Sequence, residues 1–234
     1  MTLTITPLPG IPEIAKGDDL PSILLEAIRR AGLEPEPGDI LVVTHKVVSK
    51  AEGAVVLLEG EEEPAYRALA MQEAVDIVRR RGDLIIARTK HGFICANAGV
   101  DRSNAAPGTA VLLPHDPDRS AHGIRKAIEA ATGVDLAVII SDTFGRPWRK
   151  GLVDVAIGLS GMDAILDLKG TVDAGGRELH VTEIAVIDEI AAAADLVMGK
   201  ATAIPAALLR GLEFTRGEGR ARDLVRSAEE DLFL

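Results

Sequence analysis

The amino-acid sequence predicts an α+β fold, with mixed and largely antiparallel sheets flanked by helices. Segments with helical periodicity are interspersed with apolar segments of strand length, and two of the strand segments are separated only by Lys90-His91-Gly92, which is typical of a hairpin turn. Hairpins mixed with helices favour α+β over a regular doubly wound sheet. The 234 residues, 47% of them hydrophobic, can bury a large core. We expect a single domain over residues 1–234, or two closely packed subdomains within it.

Five segments are predicted to be helical. Apolar residues recur with the helical period in residues 20–33, 64–81 and 120–132, and two further helices are expected at 183–198 and 221–230. Asp19 is expected to cap the first helix, because its side chain can accept a hydrogen bond from a backbone amide of the first turn. Gly133 is expected to end the third, since glycine readily adopts the left-handed conformation that follows many helices.

Six apolar segments are predicted to be strands: residues 39–44, 84–89, 93–97, 136–141, 153–159 and 206–210. The sequence contains no Gly-x-Gly-x-x-Gly motif after the first of these and no Walker-type Gly-x-x-x-x-Gly-Lys-Ser/Thr motif. A bound nucleotide would therefore not be held by either of the two commonest phosphate-binding loops.

Composition excludes several classes of protein. The formal net charge of −10 opposes sequence-independent binding to nucleic acid, which depends on neutralising phosphates. The sequence contains no run of about 18 apolar residues, so no membrane-spanning helix is expected. Residues 1–11 lack the basic start and apolar core of a signal peptide. The single cysteine, Cys95, fits a reducing cytoplasm, where we expect the protein to reside. Cys95 lies in an apolar run and is interpreted as a buried structural thiol.

The most informative segment for chemistry is residues 139–151, where an apolar strand is followed by an acid, a hydroxyl group and three cations. Asp142 and Thr143 supply oxygen atoms that suit Mg²⁺ or Mn²⁺. Arg146, Arg149 and Lys150 could then contact phosphate oxygens. The alternative is that Asp142 begins an Asx-turn followed by surface arginines, and the segment alone leaves both interpretations open.

A second acid, Asp101, also follows an apolar strand and lies among short polar residues. Asp101 and Asp142 could converge on one metal ion, but sequence spacing alone leaves open that Asp101 is only a loop cap. Lys46 and Lys50 would share one face if residues 45–50 are helical. Both could then bind phosphate, or they could simply be solvated. The stretch from residue 198 to residue 205 could wrap a nucleotide or cap a helix at Gly199.

Taken in order, these segments resemble the F420-0:glutamate ligase family over nearly the whole chain. The matching segments are residues 7–12, 17–20, 38–43, 48–53, 97–101, 103–104, 113–114, 116–118, 141–146, 156–158, 161, 188–189, 204–205, 210–211 and 226–231. The resemblance implies a ligase that uses GTP to activate a carboxylate of F420-0, plausibly as an acyl phosphate. It then joins that carboxylate to L-glutamate, with further γ-linked glutamates as an optional extension.

The resemblance also implies the site residues and partners. Metal-binding positions correspond to Asp101, Asp142 and Thr143, with Mg²⁺ or Mn²⁺ as the ion and K⁺ as an additional candidate, and Asp142 and Arg146 are the expected catalytic residues. The expected nucleotide-binding residues are Gly10, Ile11, Pro12, Glu13, His45, Lys46, Lys50, Asn104, Met198, Gly199, Lys200, Ala201, Thr202, Ala203, Ile204 and Pro205. The family is dimeric with its site near the subunit interface, so we expect an intertwined homodimer. From the charge and the apolar runs described above, we expect it to bind neither nucleic acid nor membranes.

Two features depart from the family pattern. His45-Lys46 stands where archaeal members have small hydroxyl residues, and Lys200 stands where they have an acid that helps to hold metal. A charged lysine cannot ligate a metal ion, so the resemblance does not fix the number of ions bound here. The flavin reductase domain that follows this one in some relatives is not expected in this sequence. Two other functions are alternatives: a metal-dependent nucleotide phosphohydrolase and a non-catalytic nucleotide-binding regulator.

Overall fold

A computed structural model describes residues 2–231. Its helices are α1 (Leu20–Arg30), α2 (His45–Glu52), α3 (Glu62–Glu73), α4 (Pro117–Thr132) and α5 (Val186–Met198). Its strands are β1 (Thr4–Pro7), β2 (Ile40–Thr44), β3 (Val55–Leu57), β4 (Ala74–Arg81), β5 (Leu84–Thr89), β6 (Ile94–Ala96), β7 (Thr109–Val111), β8 (Ala137–Arg146), β9 (Arg149–Ser160), β10 (Leu166–Asp167), β11 (Glu183–Ile184) and β12 (Ala206–Arg210). Short 3-10 turns cover Asn97–Gly99 and Ala221–Leu224.

A five-stranded sheet with the order β1-β12-β2-β8-β9 organises the chain. Strands β2 and β8 are parallel neighbours, and the other pairs in this sheet are antiparallel. The smaller sheets β3-β7, β4-β5-β6 and β10-β11 are antiparallel throughout. The predicted α+β class with largely antiparallel sheets is therefore confirmed.

The central sheet is covered on both faces. Along β2, Leu41 and Val43 pack into a cluster with α1, α2 and α4, whereas Ile40 and Val42 pack into a second cluster with α5. Successive side chains of a strand point to opposite faces, so a strand that is buried on both sides is apolar throughout. The polar side chains consequently lie beyond the apolar run of each strand, at Thr44 in β2 and from Ser141 onwards in β8, and a polar site can form there.

Several predicted elements are confirmed with small shifts at their ends. Helix α1 begins after Asp19, whose carboxylate accepts the amide of Ser22, and α4 ends at Gly133 in the left-handed conformation. The hairpin turn at residues 90–92 joins β5 to β6. Residues 45–52 form α2, so Lys46 and Lys50 lie one turn apart on a helix. The predicted helix at residues 183–198 begins at Val186, because residues 183–184 pair as β11.

The predicted helix at residues 64–81 is wrong in its second half. Helix α3 ends at Glu73, and Ala74 adopts an extended conformation that begins β4. Strand β4 pairs antiparallel with β5 across a tight turn containing Gly82, at φ +58°. The β-branched residues of this stretch suit a strand, and the backbone hydrogen bonds offered by β5 override its helical periodicity.

The strands predicted at 136–141 and 153–159 are longer than expected. Strand β8 continues to Arg146 and returns as β9 from Arg149, so the two form one long hairpin. Asp142 lies inside this ladder opposite Val155. The interpretation of Asp142 as an Asx-turn residue is therefore wrong, since its backbone is extended and paired.

At the end of the described chain, residues 221–230 contain only the short 3-10 turn Ala221–Leu224 in place of the predicted helix. The short strands β1, β3, β7, β10 and β11 were not predicted. Among residues 2–231, the helices are too short or too polar to cross a membrane.

Candidate active site

A cleft of about 690 Å³ opens where β2 ends beside its parallel neighbour β8, with Thr44 opposite Ser141. Ligands commonly bind outside the carboxyl ends of parallel strands, because the chain leaves the sheet there and the first turns of helices face inward. The remaining walls are residues 11–14, the start of α2, residues 104–106, Asp195 on α5, and the segment after α5 up to Pro205.

Asp142 and Thr143 lie on the floor of this cleft. The Oδ1 atom of Asp142 accepts the amide of Thr143 at 2.7 Å, and His45 Nε2 lies 3.3 Å from the same oxygen. His45 is buried, at 1% exposure, and within residues 2–231 its Nε2 atom makes no hydrogen bond of acceptable geometry. A buried polar atom of this kind, facing a carboxylate, is typical of a site that is completed by a ligand.

Asp154 is a site residue that sequence reasoning missed. Its carboxylate is buried and accepts hydrogen bonds from Ser141 Oγ at 2.8 Å and Thr143 Oγ1 at 2.5 Å. Asp154 belongs to the strand predicted at residues 153–159, where it shares the inward face with Ala156. An acid on the buried face of a predicted strand was the signal that could have identified it.

Asp195 on α5 is the second acid that was missed. Burial raises the pKa of Asp195, and the neighbouring Asp154 carboxylate raises it further, while Lys200 acts in the opposite direction. The Lys200 ammonium donates a hydrogen bond to Thr143 Oγ1. Thr143, Asp154, Asp195 and Lys200 therefore form one wall of the cleft. This wall contains two carboxylates, one hydroxyl group and one ammonium group.

The opposite wall carries Lys46 and Lys50 from α2. Lys46 Nζ lies 2.8 Å from Asp101 Oδ2 and also contacts Ser103 Oγ at 2.5 Å. Lys50 Nζ donates to Glu13 Oε1 at 2.5 Å and to the backbone oxygen of Asn104 at 2.7 Å. The solvated-lysine interpretation is wrong, because both side chains are largely buried and join loops around the cleft.

Most predicted site residues come together in the cleft. Those that line it are Ile11, Pro12, Glu13, His45, Lys46, Lys50, Asn104, Asp142, Thr143, Met198, Gly199, Lys200, Ala201, Ala203, Ile204 and Pro205. The interpretation of Gly199 as a helix cap is confirmed, because its amide donates to Asp195 O at 2.8 Å; Gly199 also lines the cleft, and the wrapping of a nucleotide by residues 198–205 stays a prediction.

Four predicted residues lie elsewhere. The carbonyl of Gly10 accepts from Arg30 at 2.6 Å, and the hydroxyl of Thr202 donates to Met198 O. Arg146 lies near the tip of the β8–β9 hairpin, where its Nη2 donates to Lys150 O at 2.7 Å. Asp101 lies behind Lys46 and outside the cleft lining. Burial opposes charge on Asp101, but hydrogen bonds from Lys46 and Ser103 outweigh it and lower its pKa.

The predicted metal ligands fit a divalent ion in part. Asp142 offers a carboxylate to the cleft, which suits a hard cation such as Mg²⁺. Asp101 and Thr143 are each held by a lysine ammonium, so they would have to exchange that contact for a metal ion. Across the described range 2–231, no three His, Cys, Asp or Glu side chains are arranged as a ready-made metal site.

The cleft combines carboxylates, hydroxyl groups and three ammonium groups, which suits small, highly charged substrates. Together with its position at the end of a strand in a mixed sheet, this lining is typical of an enzyme that acts on small molecules. The sequence model described as F420-0:Gamma-glutamyl ligase matches residues 10–211.

Several relatives carry the name coenzyme F420:L-glutamate ligase, and two of them match over nearly their whole length. The protein of Methanothermobacter thermautotrophicus is 42% identical over 251 aligned positions, which cover 100% of this chain and 99% of the relative. The protein of Methanopyrus kandleri is 45% identical over 251 positions, covering 99% and 98% respectively. The chain belongs to the F420-0:gamma-glutamyl ligase family, and it is an enzyme of the ligase class.

Proposed function

We propose that this enzyme joins L-glutamate to coenzyme F420-0 through an amide bond, with GTP as the energy source, in the biosynthesis of coenzyme F420. One observation carries the proposal. Four separate segments expected to surround the nucleotide, represented by Glu13, Lys50, Asn104 and Lys200, converge on one cleft beside Asp142. The description of the matching family model supports F420-0 as the substrate, and the names of the relatives support L-glutamate.

The proposed reaction has two balanced steps. A carboxylate oxygen of F420-0 attacks the γ-phosphorus of GTP, the bond to the bridging oxygen breaks, and GDP leaves an acyl phosphate behind. The uncharged amine of glutamate then attacks the acyl carbon, inorganic phosphate departs, and a proton from the amine passes to solvent. Such phosphoryl transfer depends mainly on positioning and on charge stabilisation. Further γ-linked glutamates would be added by the same two steps.

The lysines of α2 are the proposed phosphate ligands. Ammonium groups bind phosphate oxygens strongly, and Lys46 and Lys50 currently pair with Asp101 and Glu13 at the rim of the cleft. Phosphates that engage the two lysines would compete with those carboxylates. Asp101 would thereby become available as an oxygen ligand close to the nucleotide.

Asp142 is the proposed principal ligand of Mg²⁺ or Mn²⁺, with Asp101 and Thr143 as the expected partners. A divalent ion would supply charge neutralisation to the transferring phosphoryl group. The carboxylate of Asp142 is oriented by the amide of Thr143 at 2.7 Å and has the buried His45 ring beside it. This surrounding limits the movement of Asp142 and favours a fixed position for the ion.

Homodimer formation is part of the proposal. Near the tip of the β8–β9 hairpin, Trp148 is 86% exposed and Leu152 is 65% exposed, and large exposed apolar side chains favour a protein contact. Arg146 lies in the same hairpin outside the cleft, so its catalytic role would require a second copy to approach the site. Single-domain organisation, a role for K⁺ and a cytoplasmic location stay predictions, as does the expectation that the protein does not bind nucleic acid.

Nucleotide turnover in the presence and absence of glutamate tests the proposal. Continued GDP release over many turnovers should require F420-0, glutamate and a divalent ion together, since the first step alone releases at most one GDP per active site. Turnover of GTP at an equal rate without glutamate would favour the phosphohydrolase, and binding of GTP without any turnover would favour the regulator. Asp142→Asn should abolish Mn²⁺-dependent turnover while its circular dichroism spectrum remains that of the wild type. Wild-type activity in this variant would refute the role of Asp142.

A further inference from the structure

Lys200 is set into the acidic wall of the cleft through a chain of hydrogen bonds. Its ammonium donates to Thr143 Oγ1, and the Thr143 hydroxyl in turn donates to Asp154 Oδ1 at 2.5 Å. The other Asp154 oxygen accepts from Ser141 Oγ at 2.8 Å. Asp195, on the neighbouring helix, interacts electrostatically with both Asp154 and Lys200.

The backbone fixes the direction in which Lys200 leaves α5. Gly199 ends the helix at φ +61° and ψ +167°, a region of backbone space that is essentially confined to glycine. This conformation turns the chain back across the end of the sheet, where Lys200 meets β8 through Thr143. The contact therefore depends on a conformation that another residue would adopt only with strain.

Asp154, Asp195 and Thr143 are the kinds of group that hold divalent cations. Two carboxylates and a hydroxyl oxygen are hard oxygen donors, and neighbouring carboxylates without a counter-charge repel each other. At this wall Lys200 provides the positive charge. An ammonium has one charge and three N–H donors, so it can satisfy the hydroxyl and offset the carboxylates without a metal ion.

We propose that Lys200 is a built-in cation that replaces one divalent metal ion at the Thr143, Asp154 and Asp195 wall. The divalent ion needed for turnover is then confined to the Asp142 side of the cleft, and Thr143, which was expected to be a partner ligand of that ion, stays bound to Lys200. Only the statement about the ion needed for turnover rests on the proposed function. Its direct consequence concerns metal binding by the protein and does not require catalysis.

Mn²⁺ titration of the purified protein without nucleotide, followed by electron paramagnetic resonance of the free ion, tests this inference. Lys200→Met should bind one more Mn²⁺ per chain than the wild type, or bind Mn²⁺ roughly tenfold or more tightly, since a charge within about 4–6 Å shifts an ionic equilibrium by that order. Lys200→Arg keeps the positive charge and should match the wild type. Lys126→Met removes a lysine from the exposed face of α4 and should also match it.

Thermal unfolding provides the second measurement. Removing the ammonium leaves Asp154 and Asp195 without their counter-charge, so Mn²⁺ should raise the melting temperature of Lys200→Met more than that of the wild type. If this variant does not fold, Lys200→Gln, which retains a donor for Thr143 but removes the charge, should give the same result. Equal Mn²⁺ number and affinity in the neutral variant and the wild type would overturn the inference.

The two proposals fail separately. A wild-type protein that forms no glutamyl product would refute the proposed function while leaving the Mn²⁺ titration interpretable. Conversely, normal ligation by the wild type combined with unchanged Mn²⁺ binding in the neutral variants would refute the role of Lys200 alone.

Discussion

Lys50→Met is the substitution that most sharply separates a binding role from a structural one. The Lys50 side chain is 11% exposed and spans the cleft from Glu13 to the backbone oxygen of Asn104. Methionine keeps most of the apolar stem and removes the ammonium. Any loss in the variant therefore reports on the two charged contacts and on whatever phosphate the ammonium binds.

The magnitudes follow from the exposure of the partners. Glu13 is 82% exposed, so its pair with Lys50 contributes only about 0–1 kcal/mol to folding. The charged hydrogen bond to the carbonyl of Asn104 contributes about 1.5–3 kcal/mol, giving an expected loss of unfolding free energy of about 2 kcal/mol. If the ammonium also binds phosphate, an interaction of the same size weakens GDP binding roughly tenfold to a hundredfold.

Calorimetric titration with GDP and urea unfolding of the same samples measure the two effects. Lys126→Met, which removes an exposed lysine paired with Glu129, is the matched control and should change neither quantity beyond about 0.5 kcal/mol. A Lys50→Met variant that is destabilised but binds GDP with wild-type affinity would refute the assignment of Lys50 to the phosphates.

Three further predictions concern stability and reactivity. Gly158→Ala should destabilise the protein by about 1–3 kcal/mol, because its Cβ would lie 2.5 Å from a backbone oxygen at the start of α4, whereas Gly123→Ala, with open space around its Cβ, should stabilise by about 0.4–1 kcal/mol; equal urea midpoints would contradict this. Burial raises the pKa of Cys95 to about 12, so a thiol reagent at pH 8 should label it only after unfolding, and rapid labelling of the native protein would argue against it. The hydrogen bond from Arg125 lowers the pKa of Asp135, so the stability contributed by Asp135 is present above its unfolded pKa of 3.8 and disappears as the pH falls through its lower folded value. Asp135→Asn should thus be less stable than the wild type at pH 7 and approach it in acid, and a pH-independent difference in unfolding free energy would exclude this linkage.

Much of the framework was predictable because its signals are local. The apolar run of β2 and the N-cap at Asp19 depend on neighbouring residues alone, and both were confirmed. The failure at residues 74–81 has the opposite character. Their strand exists because β5 offers a backbone ladder across the turn at residues 82–83, and the helical periodicity of residues 74–81 considered alone does not reveal that pairing.

The candidate site divides in the same way. Resemblance to the family located most of the cleft, including Asp142 and the segment around Lys200. It did not locate Asp154 or Asp195, since their importance arises from tertiary packing: Asp154 of β9 bonds to Ser141 and Thr143 of β8, and Asp195 on α5 lies close enough to Asp154 to interact with its charge. The pairing of Lys46 with Asp101 was likewise beyond sequence reasoning, because the contact joins residues 55 positions apart through tertiary structure.

The central claim is amide formation driven by GTP through an acyl phosphate, and isotope transfer tests it most directly. F420-0 labelled with ¹⁸O in the carboxylate that reacts is incubated with GTP, glutamate and Mn²⁺, and product and phosphate are analysed by mass spectrometry. The account predicts a product heavier by one or more glutamyl units, and inorganic phosphate that carries ¹⁸O from the carboxylate. Unchanged F420-0 alongside unlabelled phosphate would contradict it.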